Sequence, residues 1–400
     1  MTGSSSFQVV ILTSVAFGAL CAGAGTAQAQ FKQTDLVSDK SGLAMITDSN
    51  LINPWGVSFI PGASPFWISN QGAGTSSLFQ VTGSTGVAPA NLLAPPATNF
   101  AAILPPVVAG FPGPTGQVAN SAMKSFDIGG TGPAFFIFAN LNGSISAWNP
   151  SNANGPTHNA ATVVVAAPTS GPGALYTGVS MNMAGDLLYA ANGITGKIDV
   201  YNGSFGATSV SGGFADSAVP SGFVPFNVED IGGKVYVTYA PAGRDAQTNA
   251  TAGMGLVAVF SEDGVLQQNL VSGGPLAAPW GVAIAPAGFG QFGGDLLVGN
   301  FSSKDSGINI FNAAGQLVDT FDVNPGAGNT AGGLWDLTFG GGGLAGDPDT
   351  LFFTDGINGE KDGLFGALTV PEPSTWAMML IGFGGLGLWA ARRRGSPALG

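Results

Sequence analysis

Apolar residues come in short runs along most of this chain, broken by Gly, Asn, Asp and Pro, a rhythm too short for helices and suited to strands joined by tight turns. One pattern recurs. An apolar strand ends in a small residue plus Asn or Asp, turns, and is followed by a strand ending in an aromatic residue. Ile68-Ser69-Asn70 leads to Leu78-Phe79, Phe138-Ala139-Asn140 to Ile145–Trp148, and Ala190-Ala191-Asn192 to Ile198–Tyr201. Val237-Thr238-Tyr239 leads to Val257–Phe260, Val298-Gly299-Asn300 to Ile308–Phe311, and Phe353-Thr354-Asp355 to Leu364-Phe365. A further short strand precedes each copy, read as Trp55–Phe59, Ser125–Ile128, Tyr176–Ser180, Phe226–Asp230, Trp280–Ile284 and Leu334–Thr338. A more polar fourth strand follows, as at Ala161–Ala166, Val265–Leu270 and Gln316–Phe321. Such units cannot bury both faces alone, so the repeat predicts an all-β, six-bladed β-propeller over residues 30–369.

The sixth unit has no fourth strand of its own after Leu368. Phe31–Val37 is a strand with no unit of its own, so it is expected to pair as the outer strand of blade six and remove the open junction of the ring. The Ala/Pro-rich stretch Ala88–Gln117 reads as an extended surface loop between blades one and two.

Composition narrows the function classes. With 65 Gly, 26 Pro and only 8% charged residues, the chain is unlike a helical protein, and its 27 Phe and 7 Trp require a dry interior. The formal charge of -12 disfavours nucleic acid as a partner, and three of the 11 basic residues stand together at Arg392, Arg393 and Arg394. The single cysteine, Cys21, lies in the leader, so no disulfide framework is available.

Both ends carry addresses. Phe7–Leu20 is an apolar run too short to span a bilayer, followed by Ala27-Gln28-Ala29, so residues 1–29 read as a signal peptide for the secretion machinery. At the other end stand Pro371, Glu372 and Pro373, an apolar segment 376–391 of membrane-helix character, and then Arg392–Arg394, which should stay cytoplasmic. This order resembles the PEP-CTERM sorting signal of Gram-negative bacteria. The resemblance implies that an exosortase recognises Pro371, Glu372 and Pro373 within residues 370–400, and that the precursor passes through the inner membrane before reaching the cell surface or medium. The repeated units themselves resemble NHL and strictosidine-synthase-like six-bladed propellers. The opening segments Gln33–Asp39 and Asp48–Gly56 are similar to those of an uncharacterised family of exported bacterial propellers, which implies a fold more than an activity.

Propeller ligands gather at the mouth of the central channel, near the innermost strands. The candidates there are Asn53, Trp55, Tyr176, Asn227, Glu229, Asp230, Trp280, Trp335 and Asp336. Their carboxylates and amides could take a cation, with Ca²⁺ held by Glu229, Asp230 and Asn227, and their rings could take a sugar face; the competing expectation is that the tryptophans simply fill the core. The repeated Asn70, Asn140, Asn192, Asn300 and Asp355 read as turn caps. Asn358–Gly363 begins like a calcium loop but has Thr369 at its twelfth position, and the sole histidine, His158, lies in a polar loop with no triad or zinc partners in view. Two functions fit: an extracellular binding or scaffold module, with surface polysaccharide among its partners, or a calcium-dependent lactonase-like hydrolase.

Overall fold

The computed structural model describes residues 31–90, 113–151, 160–171 and 173–370, and the backbone of 101–103. The signal-peptide, sorting-tail and His158 expectations therefore lie outside the described residues. Six sheets follow one another in chain order, each with its first strand innermost and all antiparallel but for the short parallel pairing of Val37-Ser38 with Ile46-Thr47 in the last. The repeat read from the sequence is thus a six-bladed β-propeller. Its inner strands are Pro54–Ser58, Pro114–Ala119, Tyr176–Met181, Phe223–Ile231, Pro279–Ile284 and Leu334–Phe339.

Closure follows the expected route. Lys32–Ser38 pairs antiparallel with Leu364–Thr369, with Lys32 opposite Thr369 and Ser38 opposite Leu364, and supplies blade six with its outer strand. Leu36 and Val37 are fully buried there, against Phe365 and Phe352 in a cluster that continues into Phe66 and Phe79 of blade one. The seam between blades six and one is also tied by backbone bonds, Val81 N–H to Leu344 O at 2.8 Å and Gly346 N–H to Val81 O at 2.9 Å.

Blade two departs from expectation. Its inner strand is Pro114–Ala119, and Ser125–Ile128 lies in the connection to the second strand, Phe136–Asn140. Phe126 has φ 66, a left-handed conformation that a strand cannot accommodate, and the Asp127 carboxylate accepts the Gly130 and Gly132 N–H groups at 2.5 and 3.0 Å to make a turn. Nor is Ala88–Gln117 wholly a loop. Gly86–Pro89 completes blade one, Ala101–Ile103 pairs with Thr75–Ser77, and Pro114–Gln117 enters the inner strand.

Register makes the six inner strands superimposable residue by residue. Pro54, Pro114, Tyr176, Pro225, Pro279 and Leu334 each pair with the last residues of their second strands, and each inner strand bulges directly afterwards. Two places on come Gly56, Gly116, Gly178, Asn227, Gly281 and Asp336. This ring is the waist of the channel. A Cβ on Gly56 would sit 2.8 Å from Gln117 N, one on Gly116 2.7 Å from Val179 N, and one on Gly178 or Gly281 would overlap the next blade outright. The two larger members bond instead of merely touching. Asn227 Nδ2 donates to Trp280 O at 3.1 Å, and Asp336 Oδ2 accepts the Val57 N–H at 2.5 Å, each reaching into the following blade. Gly116→Ala should therefore cost about 1–3 kcal/mol by overpacking, measurable as an earlier chemical-denaturation midpoint; an unchanged midpoint would mean that the waist is looser than drawn.

Candidate functional site: the channel mouth

Because each inner strand begins beside the end of its second strand, the loops joining second to third strands all rise at one end of the channel. In blade four that loop is long, running from Ala242 to Gly255, and it contains the short helix Arg244–Thr248. The helix brings Arg244 over the channel axis. Its guanidinium carbon lies 4.3 Å from the Phe301 ring centre, 5.0 Å from Trp335 and 5.4 Å from Trp55, within cation–π range of all three.

Beneath it the channel is packed. Trp55 and Trp335 stack with centres 3.4 Å apart, Trp280 meets both edge-on, and Phe226 and Phe301 complete the group. The indole N–H of Trp335 donates to Asn53 Oδ1 at 2.9 Å and that of Trp280 to Thr177 O at 3.0 Å. Trp55, Trp280 and Trp335 are thus buried in the core, and Trp55 also lines the cavity described below.

Asn53 links this core to the rim. Its Nδ2 donates to Gln71 Oε1 at 2.8 Å and to Glu360 Oε2 at 3.0 Å, and the same Glu360 oxygen forms an ion pair with Arg244 Nη2. The surrounding rings strip water from the guanidinium and push its pKa down to about 9; with 39% of its side chain exposed and a carboxylate against it, it remains charged at neutral pH. Glu360 comes from the stretch that began like a calcium loop. Here Asn358, Gly359 and Glu360 all take left-handed backbone, Asn358 cross-links to Asn329 and Asp362, and Glu360 turns to Arg244.

A cavity of about 380 Å³ opens beside this pair. Leu141, Leu175, Ile194, Pro225, Phe226 and Trp55 give it apolar walls, and Gln71, Thr177, Gln247, Arg244 and Glu360 give it polar points. Trp55 Nε1 and Thr177 Oγ1 are buried without a hydrogen-bond partner. Both residues line the cavity.

The remaining sequence candidates lie elsewhere. Glu229 and Asp336 belong to the waist and the half of the channel beyond it, where burial, reinforced for Glu229 by neighbouring Asp336 and Asp230, raises both carboxyls, Glu229 well above the usual range and Asp336 to about 7. Asp230 sits at the opposite face, its pKa raised to about 6 by burial and the nearby Glu262 despite the Gly233 N–H it accepts. Tyr176 points away from the channel, its hydroxyl 2.8 Å from Asp199 Oδ2 and 2.6 Å from the Tyr201 hydroxyl. Asn227 is committed to Trp280 as a strut. Among the described residues no three His, Cys, Asp or Glu side chains are arranged to hold a metal ion.

Sequence reasoning had missed Arg244, Gln71, Gln247 and the hydrophobic rim residues, and had not connected Glu360 with the mouth. A signal existed for one of them. Arg244 is a lone cation in a long connection of an acidic, charge-poor chain.

Comparison with other proteins bears on the C-terminal end more than on this site. Residues 369–394 match the PEP-CTERM protein-sorting motif. Three Acanthamoeba polyphaga mimivirus proteins are similar over much of the chain. Uncharacterized protein R648 is 28% identical over 83% of this chain and 78% of its own length, and uncharacterized protein L690 is 26% identical over 73% and 74%. With R640, 28% identical, the alignment takes in 56% of this chain and 40% of the relative. Among solved structures, streptogramin B lyase aligns over 85% of this chain and 97% of its own with a TM-score of 0.49 at 10% identity, and Kuenenia stuttgartiensis hydrazine synthase over 80% and 79% with 0.46 at 15%. No helix among the described residues is long and apolar enough to cross a membrane. The chain is a six-bladed propeller that ends in a PEP-CTERM protein-sorting motif, the mark of an exported protein sorted by an exosortase.

Proposed function

We propose that the protein is a non-enzymatic binding module of the cell surface or surrounding matrix, delivered through the inner membrane, which holds a small ligand at the propeller mouth. The observation that carries this reading is the mouth cavity, where five blades contribute lining residues around one ion pair. Pockets of this size, apolar with a few convergent polar groups, are the usual form of small-molecule sites. A calcium-dependent hydrolase would need several oxygen ligands converging on one point. Among the described residues no three His, Cys, Asp or Glu side chains are so arranged, and the carboxylate at the mouth, Glu360, is paired with Arg244. Surface polysaccharide is a weaker candidate ligand, because the rings that would stack on sugars are occupied with one another and with Arg244.

Thermal melting with a panel of small amphipathic compounds, with and without calcium or chelator, tests this reading, since a ligand that binds only the folded state raises the melting temperature by mass action. Saturable shifts with organic ligands and none with calcium are expected. A calcium-dependent shift accompanied by ester or lactone hydrolysis would replace the binding module with the enzyme.

A further inference from the structure

We infer that the mouth cavity takes an apolar-bodied carboxylic acid whose carboxylate replaces Glu360 on Arg244. The inference rests on the binding-module reading and names its ligand class. Among the described residues, Arg244 and Glu360 are the only charged side chains lining the cavity. Arg244 is laid on Phe301, Trp335 and Trp55, so the plane in which it offers hydrogen bonds is fixed. A guanidinium has five N–H donors, and Glu360 pairs with this one at Nη2 through Oε2, the oxygen that also accepts from Asn53. A free carboxylate can reach a two-pronged fit on an arginine.

Backbone geometry points the same way. Glu360 is held at φ 66 and its partner Asn53 at φ 47, and side chains other than glycine pay for left-handed backbone. Strain of this kind persists where surrounding structure enforces it, and here Glu360 pairs with Arg244 while Asn53 donates to the same Glu360 oxygen. Glu360 therefore serves as an internal stand-in for a ligand carboxylate. Exchange of one carboxylate for another keeps Arg244 neutralised and releases Glu360 toward solvent. The body of the ligand is set by the other wall, where Leu141, Leu175, Ile194 and Phe226 offer apolar contact and no charge. A sugar acid, polar all round, would leave its hydroxyls against these side chains.

Calorimetric titration of the full-length chain in lipid nanodiscs distinguishes the possibilities. The probes are octanoate and phenylacetate, their neutral amides octanamide and phenylacetamide, and glucuronate. The acids are expected to bind at least about tenfold more tightly than the amides, the usual margin for a hydrogen bond to a charged group, and glucuronate not at all. Glu360→Gln, which removes the competing carboxylate, should tighten acid binding, and Arg244→Gln should abolish the preference for acid over amide. Amides binding as well as acids, a preference that survives Arg244→Gln, or tight glucuronate binding would overturn the carboxylate assignment and leave the cavity as a small-molecule site. Absence of binding by acids and amides alike would overturn both readings. The acid-against-amide comparison is made on the unmodified chain, so it stands even where a variant fails to fold.

Discussion

Asp355→Asn should stabilise the protein by several kcal/mol at neutral pH and by more as the solution becomes alkaline. Asp355 ends the second strand of blade six, opposite Leu334, at the register position filled by Asn70, Asn140, Asn192 and Asn300 in four other blades. Those asparagines are used. Asn192 Oδ1 accepts the Leu175, Ile194 and Thr195 N–H groups, and Asn300 bonds to Ala277 N and Pro275 O, as expected of turn caps. Asp355 is fully buried and neither of its carboxyl oxygens has a partner. Burial raises its pKa from 3.8 to about 8. The folded chain therefore binds a proton that the unfolded chain releases above pH 4, so stability is greatest in acid and is lost as pH rises toward 8. At pH 7 the penalty is on the order of 3–4 kcal/mol, at about 1.4 kcal/mol per pH unit. Asp336 and Glu229 act in the same direction, softened by the part of each that channel water still reaches. Melting temperatures followed from pH 5 to about pH 9 should fall in the wild type and fall much less in Asp355→Asn. Parallel curves for the two proteins would show that the carboxyl is solvated or paired in solution.

Removing residues 31–38 should have a larger effect still, abolishing the cooperative folding transition. The deletion takes away the outer strand of blade six, uncovers Phe365 and Phe352, and leaves Leu364–Thr369 as an unpaired edge. Burying Leu36 and Val37 alone contributes about 1.5–3 kcal/mol each, and an exposed apolar strand edge invites pairing with other chains. Size-exclusion chromatography and calorimetry should find aggregate and no sharp endotherm. A soluble monomer melting as the intact chain does would mean that the ring holds without its clasp.

The propeller was legible because its signal is repeated. Six copies of one strand-turn-strand rhythm outweigh any single ambiguous segment, and the leftover strand at Phe31–Val37 could belong only to the unfinished last blade. Blade two was misread where the aromatic, apolar Ser125–Ile128 imitated a strand while the true one, Pro114-Thr115-Gly116, lay beside a Pro-rich stretch. The better guide was the register shared by Pro54-Trp55-Gly56, Pro114-Thr115-Gly116 and Pro279-Trp280-Gly281. Glycine is required there by contact between blades, a constraint invisible to hydrophobic periodicity. The mouth was legible only in part. Asn53, Trp55 and Trp335 lie on inner strands or their approaches and could be placed by counting, whereas Arg244 and Glu360 come from loops of blades four and six whose meeting depends on ring closure. Tyr176 was misplaced for a related reason, since the first position of the inner strand faces the neighbouring sheet instead of the axis.

The direction of the last strand has a consequence for how the molecule is displayed. Leu364 lies toward the mouth, beside Asp355, and Thr369 lies at the opposite face, where its partner Lys32 begins the clasp. Entry and departure of the chain thus share the back of the disc, and the sorting motif starts at residue 369 without an intervening spacer. The point where the sorting motif begins, Thr369, therefore lies on the face opposite the mouth cavity.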